Sequence, residues 1–311
     1  MINPENESAL LTLLHTVAET GYAFVPPTPE THRRVNARPG NEEARDLRDV
    51  FGWSRPFRRE LIGERILELL HMADALEANG YLWKSRLRIA TLNDRYYFHS
   101  AFPTTQADAV FFGPDTYRFI RAALIALPNH QFSRAIDLGC GSGAGGLAVA
   151  AGREVKALYL TDINPTALAL AGGNAAYAGR SASFAQSNLF AAVDGQFDLI
   201  LANPPYLADT AKRAYRDGGG TLGLELGLRI VRESIARLAP GGTLFLYTGA
   251  PVLGGIDRFR FEAEQILAAS RFHHQYSEID PDVFGEELDM PAYGEADRIA
   301  AIALMVTNQR V

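Results

Sequence analysis

One short segment combines residue types that could hold a planar amine. In Asn203-Pro204-Pro205-Tyr206, a side-chain amide, a proline carbonyl and an aromatic ring follow the apolar run 199–201. Two prolines cannot continue a β ladder, so we expect the strand to end there with its polar end outward. The Asn203 oxygen and the Pro204 carbonyl could each accept one hydrogen of an NH2 group, and the Tyr206 ring could cover the flat face of its carrier. The structural alternative is a proline-rich loop after a buried strand.

A glycine-rich loop upstream provides a second candidate feature. Gly139, Gly141 and Gly143 alternate between an apolar strand that contains Asp137 and a predicted helix. Such a loop lets a ligand approach the backbone, and the free N–H groups of the following helix face that ligand. Asp162 ends the next predicted strand, where a carboxylate could accept hydrogen bonds from ribose hydroxyls. Together these residues predict a nucleotide-type site.

The same glycines leave a second class of function open. Gly141, Gly143 and Gly146 fit the G-x-G-x-x-G pattern of dinucleotide sites, and Asp162 follows at a suitable distance. A nicotinamide-dependent oxidoreductase would explain these residues, but it gives no function to Asn203 and its neighbours. A ligand-binding module without activity is a third alternative.

The elements that must position these residues alternate in type after residue 111. Predicted strands at 134–138, 155–160, 182–185, 198–202 and 243–247 are separated by helical patterns, and a final pair follows near 272–278 and 299–306. Such alternation predicts an α/β fold with a mostly parallel sheet and helices on both faces. At 311 residues the chain is longer than one ordinary domain. We predict an N-terminal α+β accessory domain at 1–105 and an α/β domain at 106–311.

The N-terminal region has a mixed pattern. Helices are predicted at Ser8–Glu19 and Arg58–Asn79, with Gly80 ending the second, and the prolines within Tyr22–Asn41 argue against a regular element there. Tyr81–Ala90 and Tyr96–Ser100 predict a hairpin that turns at Asn93-Asp94.

Three cations alternate along the first strand of that predicted hairpin. Lys84, Arg86 and Arg88 are two residues apart, so a continuous strand would place them on one face. A phosphate-contacting surface is one interpretation. A solvated sheet face is the interpretation we favour, because such faces are ordinarily charged.

Composition limits the classes of function. The formal net charge is -6 and 21% of residues are charged, which argues against a generally basic, sequence-blind binder of nucleic acid. The single cysteine, Cys140, excludes an internal disulfide and fits a reducing compartment. No signal-peptide pattern opens the sequence, and no apolar run reaches membrane-spanning length. We expect a cytoplasmic protein without a membrane partner; the sequence does not predict its oligomeric state.

Taken together, Asp137, the glycine loop, Asp162 and Asn203-Pro-Pro-Tyr206 resemble the class I S-adenosylmethionine (SAM) methyltransferases, in the NPPY branch that methylates planar nitrogens. The resemblance covers residues 111–311. It implies a Rossmann-like domain with a mostly parallel seven-stranded sheet and SAM as the cofactor. It also implies that Asn203, Pro204 and Tyr206 act on the amine that is methylated, with Asn203 close to the cofactor.

The resemblance further implies which residues meet the cofactor. Asp137 and the loop from Gly139 through Cys140, Gly141 and Gly143 would surround the methionine part of SAM. The Asp162 carboxylate would hold the ribose hydroxyls, and Ile163 would pack against adenine. Asn188, followed by Leu189, stands where the family commonly has an aspartate facing the adenine amino group, and an amide oxygen can still accept that hydrogen.

Within the branch, the sequence is most similar to the glutamine methyltransferases of protein release factors. These carry a Pro-Asp-Thr element before the glycine strand, as Pro114-Asp115-Thr116 does here, but Gly113 replaces the usual arginine. The predicted hairpin also departs from the family's helical N-terminal bundle. The resemblance implies a protein glutamine amide as the substrate and a release factor as the partner. The alternative is an exocyclic base amine in RNA or DNA, because relatives with this motif methylate such amines, and the partner would then be an RNA. Some enzymes acting on small molecules could share the motif.

Three other features carry weaker expectations. His273-His274 is not expected to bind a metal, because neighbouring residues on a strand point in opposite directions. The acidic residues Glu286, Glu287 and Asp289 predict a solvated loop, and Asp217-Gly218-Gly219-Gly220 predicts a mobile connection near the substrate.

Overall fold

The computed structural model describes residues 4–127, 129, 131–209, 211–213, 215–268 and 272–309. Internal contacts divide the chain into two compact units. The N-terminal unit comprises Met1–Tyr117, Gly141–Leu147 and Pro165–Ser181, and the sheet unit comprises Arg118–Cys140, Ala148–Asn164 and Ala182–Val311. The boundary at residue 105 stays a prediction, since a division by contacts does not test which segments fold independently.

The N-terminal unit opens with helices and continues with two antiparallel hairpins. The helices are α1 (Pro4–Ala18), α2 (Pro29–Asn36), α3 (Leu47–Phe51) and α4 (Arg59–Met72), and the strands are β1 (Leu76–Asn79), β2 (Leu82–Ser85), β3 (Leu87–Leu92) and β4 (Arg95–Ser100). Strand β1 pairs with β2, and β3 pairs with β4. A shared apolar core joins Leu13 of α1, Leu70 of α4, Ile89 of β3 and Phe98 of β4, each fully buried. The predicted α+β composition is therefore present.

Two predictions about helices in this unit are wrong. Helix α2 lies inside the segment expected to be irregular, because Pro29 occupies a first-turn position that needs no N–H and the Thr28 hydroxyl accepts the Thr31 N–H at 3.2 Å. Helix α4 ends at Met72 instead of residue 79, since Asp74 adopts a left-handed φ of 51° and the chain then enters β1. Gly80 therefore lies in the β1–β2 turn and does not end a helix.

The predicted turn at Asn93-Asp94 is confirmed, with φ values of 49° and 57° between β3 and β4. The predicted face of three cations is wrong. The strand is broken at Arg86, so only this residue is exposed, whereas Lys84 is partly buried and Arg88 retains 4% exposure. Strand period cannot predict side-chain exposure across a break in the strand.

The remaining elements follow in chain order. The helices are α5 (Pro114–Ala126), α6 (Ala144–Ala151), α7 (Pro165–Tyr177), α8 (Glu225–Arg237) and α9 (Arg258–Ala268); Ala269, where we predict that the last helix ends, lies outside the described residues. The strands are β5 (Phe132–Leu138), β6 (Val155–Asp162), β7 (Ser183–Gln186), β8 (Phe197–Ala202), β9 (Leu238–Leu253), β10 (Ile256–Asp257), β11 (His273–Asp280) and β12 (Arg298–Thr307). Two short 3₁₀ turns, Gly285–Asp289 and Pro291–Tyr293, precede β12.

Seven of these strands form one sheet in the order β11-β12-β9-β8-β5-β6-β7, and the short β10 pairs with β9. The pairs among β7, β6, β5, β8 and β9 are parallel, whereas β12 is antiparallel to both of its neighbours. The order changes direction at β5, since β6 and β7 continue on one side of it and the next strand, β8, pairs with its other side. Ligands of open α/β sheets bind at the carboxyl ends of strands beside such a switch point.

Strand β9 shows that apolar groups cover both faces of the sheet. Leu244 and Leu246 are fully buried in the same cluster as residues of α8 and α9. Phe245 and Tyr247 alternate with these leucines and face the other side of the sheet. There the ring centroid of Phe119 of α5 lies 6.1 Å from that of Phe245 and 6.2 Å from that of Tyr247. The α/β class, the mostly parallel seven-stranded sheet and the helices on both faces are confirmed. Among the described residues, no helix combines the length and apolarity needed to span a membrane.

Candidate active site

Three parallel neighbours bring the predicted site to one edge of the sheet unit. Leu138 of β5 is in register with Thr161 of β6 and with Ala202 of β8. The residues that follow these strands, including Gly139 and Asn203, therefore leave the sheet side by side. The carboxyl ends of parallel strands meet at one edge, so this convergence follows from strand direction alone.

The turn after β5 has the backbone shape that its glycines permit. Gly139 has a φ of 63°, and an added Cβ would meet no atom within 4 Å, so the space beside this backbone is open. Gly141 and Gly143 also have positive φ values, of 53° and 76°. The Cys140 N–H donates to the Thr161 carbonyl at 2.9 Å, which fixes the turn to the end of β6, and the Cys140 thiol is buried. Open space beside the glycine backbone is what close approach of a ligand requires.

The acid at the end of β6 begins a tight local turn. Asp162 is partly exposed, and its Oδ1 accepts the Asn164 N–H at 2.9 Å. Ile163 between them is 51% exposed, an apolar side chain at a position where a flat ligand ring could cover it. The buried Asp137 lies one residue before the end of β5, with 2% exposure. The part of these residues in binding a cofactor stays a prediction.

The loop after β7 is joined to the same edge. The Ser187 N–H donates to the Asp162 carbonyl at 2.9 Å, which brings Asn188 and Leu189 next in the chain. The exposed Asn188 accepts a hydrogen bond on Oδ1 from Arg229 Nη1 of α8 at 3.0 Å. Sequence reasoning missed Arg229, because nothing local links two residues 41 positions apart. A carbonyl-type oxygen has two lone pairs, so Asn188 retains the capacity for a second donor.

A cavity of about 350 Å³ lies beside this contact. Its lining includes Asn188, Phe190, Arg229 and Glu233. Arg229 also forms an ion pair with Glu233, Nε to Oε1, at 2.6 Å, so its guanidinium is oriented by two partners. The cavity therefore has a polar rim at Asn188 and an apolar wall at Phe190.

At the end of β8, the NPPY residues differ in exposure. Asn203 is partly exposed, and no hydrogen bond joins its side chain to another residue in the described part of the chain. Pro204 is buried, which fixes the direction of its carbonyl through the surrounding packing. The amide group of Asn203 is therefore available to an incoming donor.

The Tyr206 ring packs against other residues of this chain. The side chain retains 7% exposure, and its ring centroid lies 5.9 Å from that of Phe284 and 6.4 Å from that of Tyr247. Gly249 of β9 lies directly under the ring, because a Cβ there would overlap the Tyr206 ring carbons. The role of this ring in covering a substrate stays a prediction.

Ion pairs fix the segment that follows the motif. Asp209 accepts from Arg213 Nε and Nη2 at 2.8 and 2.7 Å, and this hydrogen bonding lowers the pKa of the Asp209 carboxyl to about 2. Arg216 pairs with Glu287, which retains 7% exposure. The prediction of a solvated acidic loop is therefore wrong for Glu287, because a buried carboxylate needs a partner and finds one 71 residues away.

A tyrosine from the second 3₁₀ turn completes this support. The Tyr293 hydroxyl accepts the Ala208 N–H at 2.8 Å and donates to the Leu222 carbonyl at 3.3 Å. Gly218 N–H donates to the Leu207 carbonyl at 2.9 Å, so the predicted mobile connection begins with a backbone hydrogen bond. Sequence reasoning found neither Tyr293 nor Arg216, since their contacts join distant segments. Among the described residues, no group of three or more potential metal ligands is present.

Comparison with known proteins gives the same assignment. The family model of the methyltransferase small domain matches residues 121–251, a range that contains Asp137, Asp162 and the NPPY motif. A release factor glutamine methyltransferase from Deinococcus radiodurans is 33% identical over 195 residues, covering 59% of this chain and 66% of that protein. A protein of the same description from Cereibacter sphaeroides is 36% identical over 150 residues, covering 44% and 52%.

An RNA enzyme is also similar. A ribosomal RNA small subunit methyltransferase C from Klebsiella pneumoniae is 30% identical over 127 residues, covering 41% of this chain and 34% of that protein. The chain thus spans less than two thirds of the length of each of these three relatives. The sheet order, the glycine turn, the matched motif positions and these similarities agree with one another. Residues 121–251 match the methyltransferase small domain, and over part of its length the chain is similar to methyltransferases that are described as acting on release factors and on ribosomal RNA.

Proposed function

We propose that this protein transfers a methyl group from SAM to a planar nitrogen, and that its acceptor is a protein glutamine amide. The observation that carries the proposal is the position of Asn203-Pro204-Pro205-Tyr206. It follows β8, directly beside the strand that leads into the open Gly139 turn. An amide oxygen that has no hydrogen-bond partner among the described residues therefore lies next to a turn suited to a cofactor.

The residues at the edge of the sheet unit fit SAM chemically. Open space beside Gly139 accommodates the methionine part, Asp162 offers a partly exposed carboxylate for ribose hydroxyls, and Ile163 offers an apolar surface for adenine. Asn188, oriented by Arg229, offers an acceptor for the adenine amino group, with Leu189 beside it. When bound, SAM supplies an electrophilic methyl group on a sulfonium.

The chain's own residues then position the nitrogen. The Asn203 Oδ1 and the Pro204 carbonyl accept the two hydrogens of the NH2 group, which fixes its plane and favours the positive charge that develops on nitrogen. An amide nitrogen is a weak donor because its lone pair is delocalised, so orientation contributes much of the effect. No separate strong base is needed, since the nitrogen becomes acidic as its new bond forms. Asp137 and Asp162 are therefore assigned to binding.

The relatives support protein before RNA as the acceptor class. The Deinococcus and Cereibacter proteins are described as release factor glutamine methyltransferases, and the net charge of -6 gives no general attraction to phosphate. An exocyclic base amine in RNA is the second candidate. It is favoured by the similarity to the ribosomal RNA enzyme from Klebsiella pneumoniae.

The test is methyl transfer from labelled SAM with two acceptors offered separately, purified bacterial release factors and ribosomal small subunits. Label on a glutamine of the release factor is the expected result, and Asn203→Ala should abolish most of it. Label on RNA alone would show that the acceptor is a base amine in RNA and not a protein glutamine. Absence of transfer to either, with SAM binding intact, would contradict the proposed function.

A further inference from the structure

A buried group of three basic side chains occupies the N-terminal unit. We call Arg88, His32 and His99 the cationic cluster. Arg88 on β3 is directly opposite His99 on β4, so their side chains lie on the same face of this hairpin. His32 of α2 joins them, with its Nδ1 3.1 Å from Arg88 Nη1. The exposed fractions are 4% for Arg88 and 0% for both histidines.

The hydrogen bonds of His32 fix its protonation state. Its Nε2 lies 2.8 Å from the Trp53 carbonyl, which can only accept, so Nε2 carries the proton. Nδ1 is then the bare acceptor for the Arg88 Nη1–H. His32 is therefore a neutral ring that uses both nitrogens. In agreement, burial and the nearby Arg88 charge lower the pKa of His32 to about 3.

The other two members of the cluster lack such partners. Arg88 Nε and both ring nitrogens of His99 are buried and have no partner of normal hydrogen-bond geometry among the described residues; the Ser100 backbone lies near enough to the His99 ring to oppose the lowering of its pKa, but does not satisfy that geometry. Within the same part of the chain, no carboxylate forms an ion pair with Arg88. The cluster thus combines a buried guanidinium charge with three unsatisfied polar atoms.

A second buried arginine of this unit provides the contrast. Arg55 is 3% exposed, and its Nη1 lies 2.6 Å from Oδ1 of the buried Asp49. Its Nε also donates to Asn36 Oδ1 at 3.1 Å. Burying a charge without compensation costs several kcal/mol, which is why buried charges are paired. Arg55 follows this rule with a carboxylate of its own chain, and Arg88 does not.

A lysine and two aromatic rings surround the cluster, which favours a small, negatively charged ligand. Lys84 lies close enough for its charge to lower the pKa of His32, and its Nζ donates to the Phe102 carbonyl at 3.1 Å. The Phe102 ring stacks on His32 with centroids 4.0 Å apart, and it is partly exposed. The Phe112 ring lies 5.3 Å from that of His99.

We propose that the cationic cluster binds one small oxyanion, a carboxylate or a phosphate, through Arg88 Nε–H and a ring N–H of His99. An oxyanion has several acceptor lone pairs, so it can satisfy both donors and neutralise the guanidinium charge. The bound group enters past Phe102. This site is distinct from the proposed methyl-transfer residues and does not depend on the proposed function.

The test uses the full chain and thermal unfolding at pH 7, with sodium phosphate, sodium acetate or sodium chloride at equal ionic strength. Phosphate or acetate should raise the melting temperature above the chloride value, and which of the two acts identifies the oxyanion. Titration calorimetry with the effective salt then measures the affinity of the wild type and the variants.

Arg88→Met should weaken that affinity at least tenfold while keeping the volume of the side-chain stem. Arg86→Met is the matched control, because Arg86 is exposed two residues away and should leave the affinity unchanged. His99→Phe should weaken binding by a smaller factor, and it serves as the second variant should Arg88→Met fail to fold. Equal shifts in all three salts for the wild type would overturn the proposal. Equal affinity in wild type, Arg88→Met and His99→Phe would overturn it as well.

Discussion

Polar side chains are exposed to solvent at the carboxyl edge of the sheet unit, whereas they are buried in the cationic cluster of the N-terminal unit. At the sheet edge, Asn203 and Asp162 are partly exposed, so water can solvate them when no ligand is present. In the cluster, Arg88 and His99 retain 4% and 0% exposure, and some of their polar atoms have no partner among the described residues.

This difference teaches how to distinguish the two kinds of site. A polar group that water solvates destabilises the unliganded fold little. A buried polar group without a hydrogen-bond partner destabilises the unliganded fold by its desolvation free energy. Changes at the sheet edge should therefore alter binding and rate with little change in stability. Changes in the cluster should alter stability and its dependence on pH.

Asn203→Ala gives the largest effect expected at the sheet edge. The substitution removes the acceptor that we propose for the reacting amine, and loss of one such positioned group typically costs roughly 10²–10³-fold in rate. Single-turnover methyl transfer measures it, and calorimetry should find the SAM affinity unchanged. Tyr206→Phe is the companion variant and should keep most of the activity, since the ring and not the hydroxyl is proposed to act. A wild-type rate for Asn203→Ala would show that the proposed mechanism is wrong.

Asp162→Ala tests the cofactor half of the same edge. Hydrogen bonds to a charged group contribute about 1.5–3 kcal/mol, so SAM affinity should fall by about one to two orders of magnitude with the melting temperature nearly unchanged. The exposed Asp194 supplies the matched control, because Asp194→Ala removes a carboxylate away from these strand ends. Unchanged SAM affinity in calorimetry would contradict the site assignment.

The cluster should make the protein sensitive to acid. Burial holds the pKa of His32 at about 3 and that of His99 well below its usual value, so both stay neutral when folded and become protonated near pH 6.5 when unfolded. The contribution of His32 is fully present above pH 6.5 and is lost as pH falls towards 3, and that of His99 is lost in the same direction. Between these pH values His32 should lower the free energy of unfolding by about 1.4 kcal/mol per pH unit.

His99→Phe isolates one of these contributions. Because burial lowers the pKa of His99 in the folded protein, the free energy of unfolding of His99→Phe should fall less steeply than that of the wild type as pH is lowered below 6.5 in denaturant unfolding. An identical slope in wild type and His99→Phe would mean that the folded protein does not keep His99 neutral.

Tyr293→Phe gives the smallest expected effect and shows whether the sheet edge depends on its support. The variant leaves the buried Ala208 N–H without its 2.8 Å partner, next to the end of the motif. We expect a several-fold rise in the KM for the acceptor, with SAM affinity unchanged. Tyr276→Phe, which loses a 2.6 Å bond to Asp257 elsewhere in the same unit, should leave the KM unchanged. An equal effect of both variants would assign Tyr293 a purely structural role.

The sequence predicted the sheet edge well because its signals are local. An apolar strand, a glycine turn and a pair of prolines each follow one another within a few residues, and parallel strand direction then brings Gly139, Asp162 and Asn203 together. The turn at Asn93-Asp94 was predicted for the same reason. Helix α2 was missed because the prolines obscured the Thr28 cap and the permitted proline at the first helical position.

By itself, the sequence determined the fold class, the strand ends that carry the motifs and the similarity of residues 121–251 to the methyltransferase small domain. Only the tertiary structure decided which charges are buried and which of them are paired. Arg88 meets His32 across 56 positions, Arg216 meets Glu287 across 71, and Arg229 meets Asn188 across 41. The physical reason is that burial and pairing of a charge depend on contacts between distant segments, whereas the period of a strand depends only on its immediate neighbours.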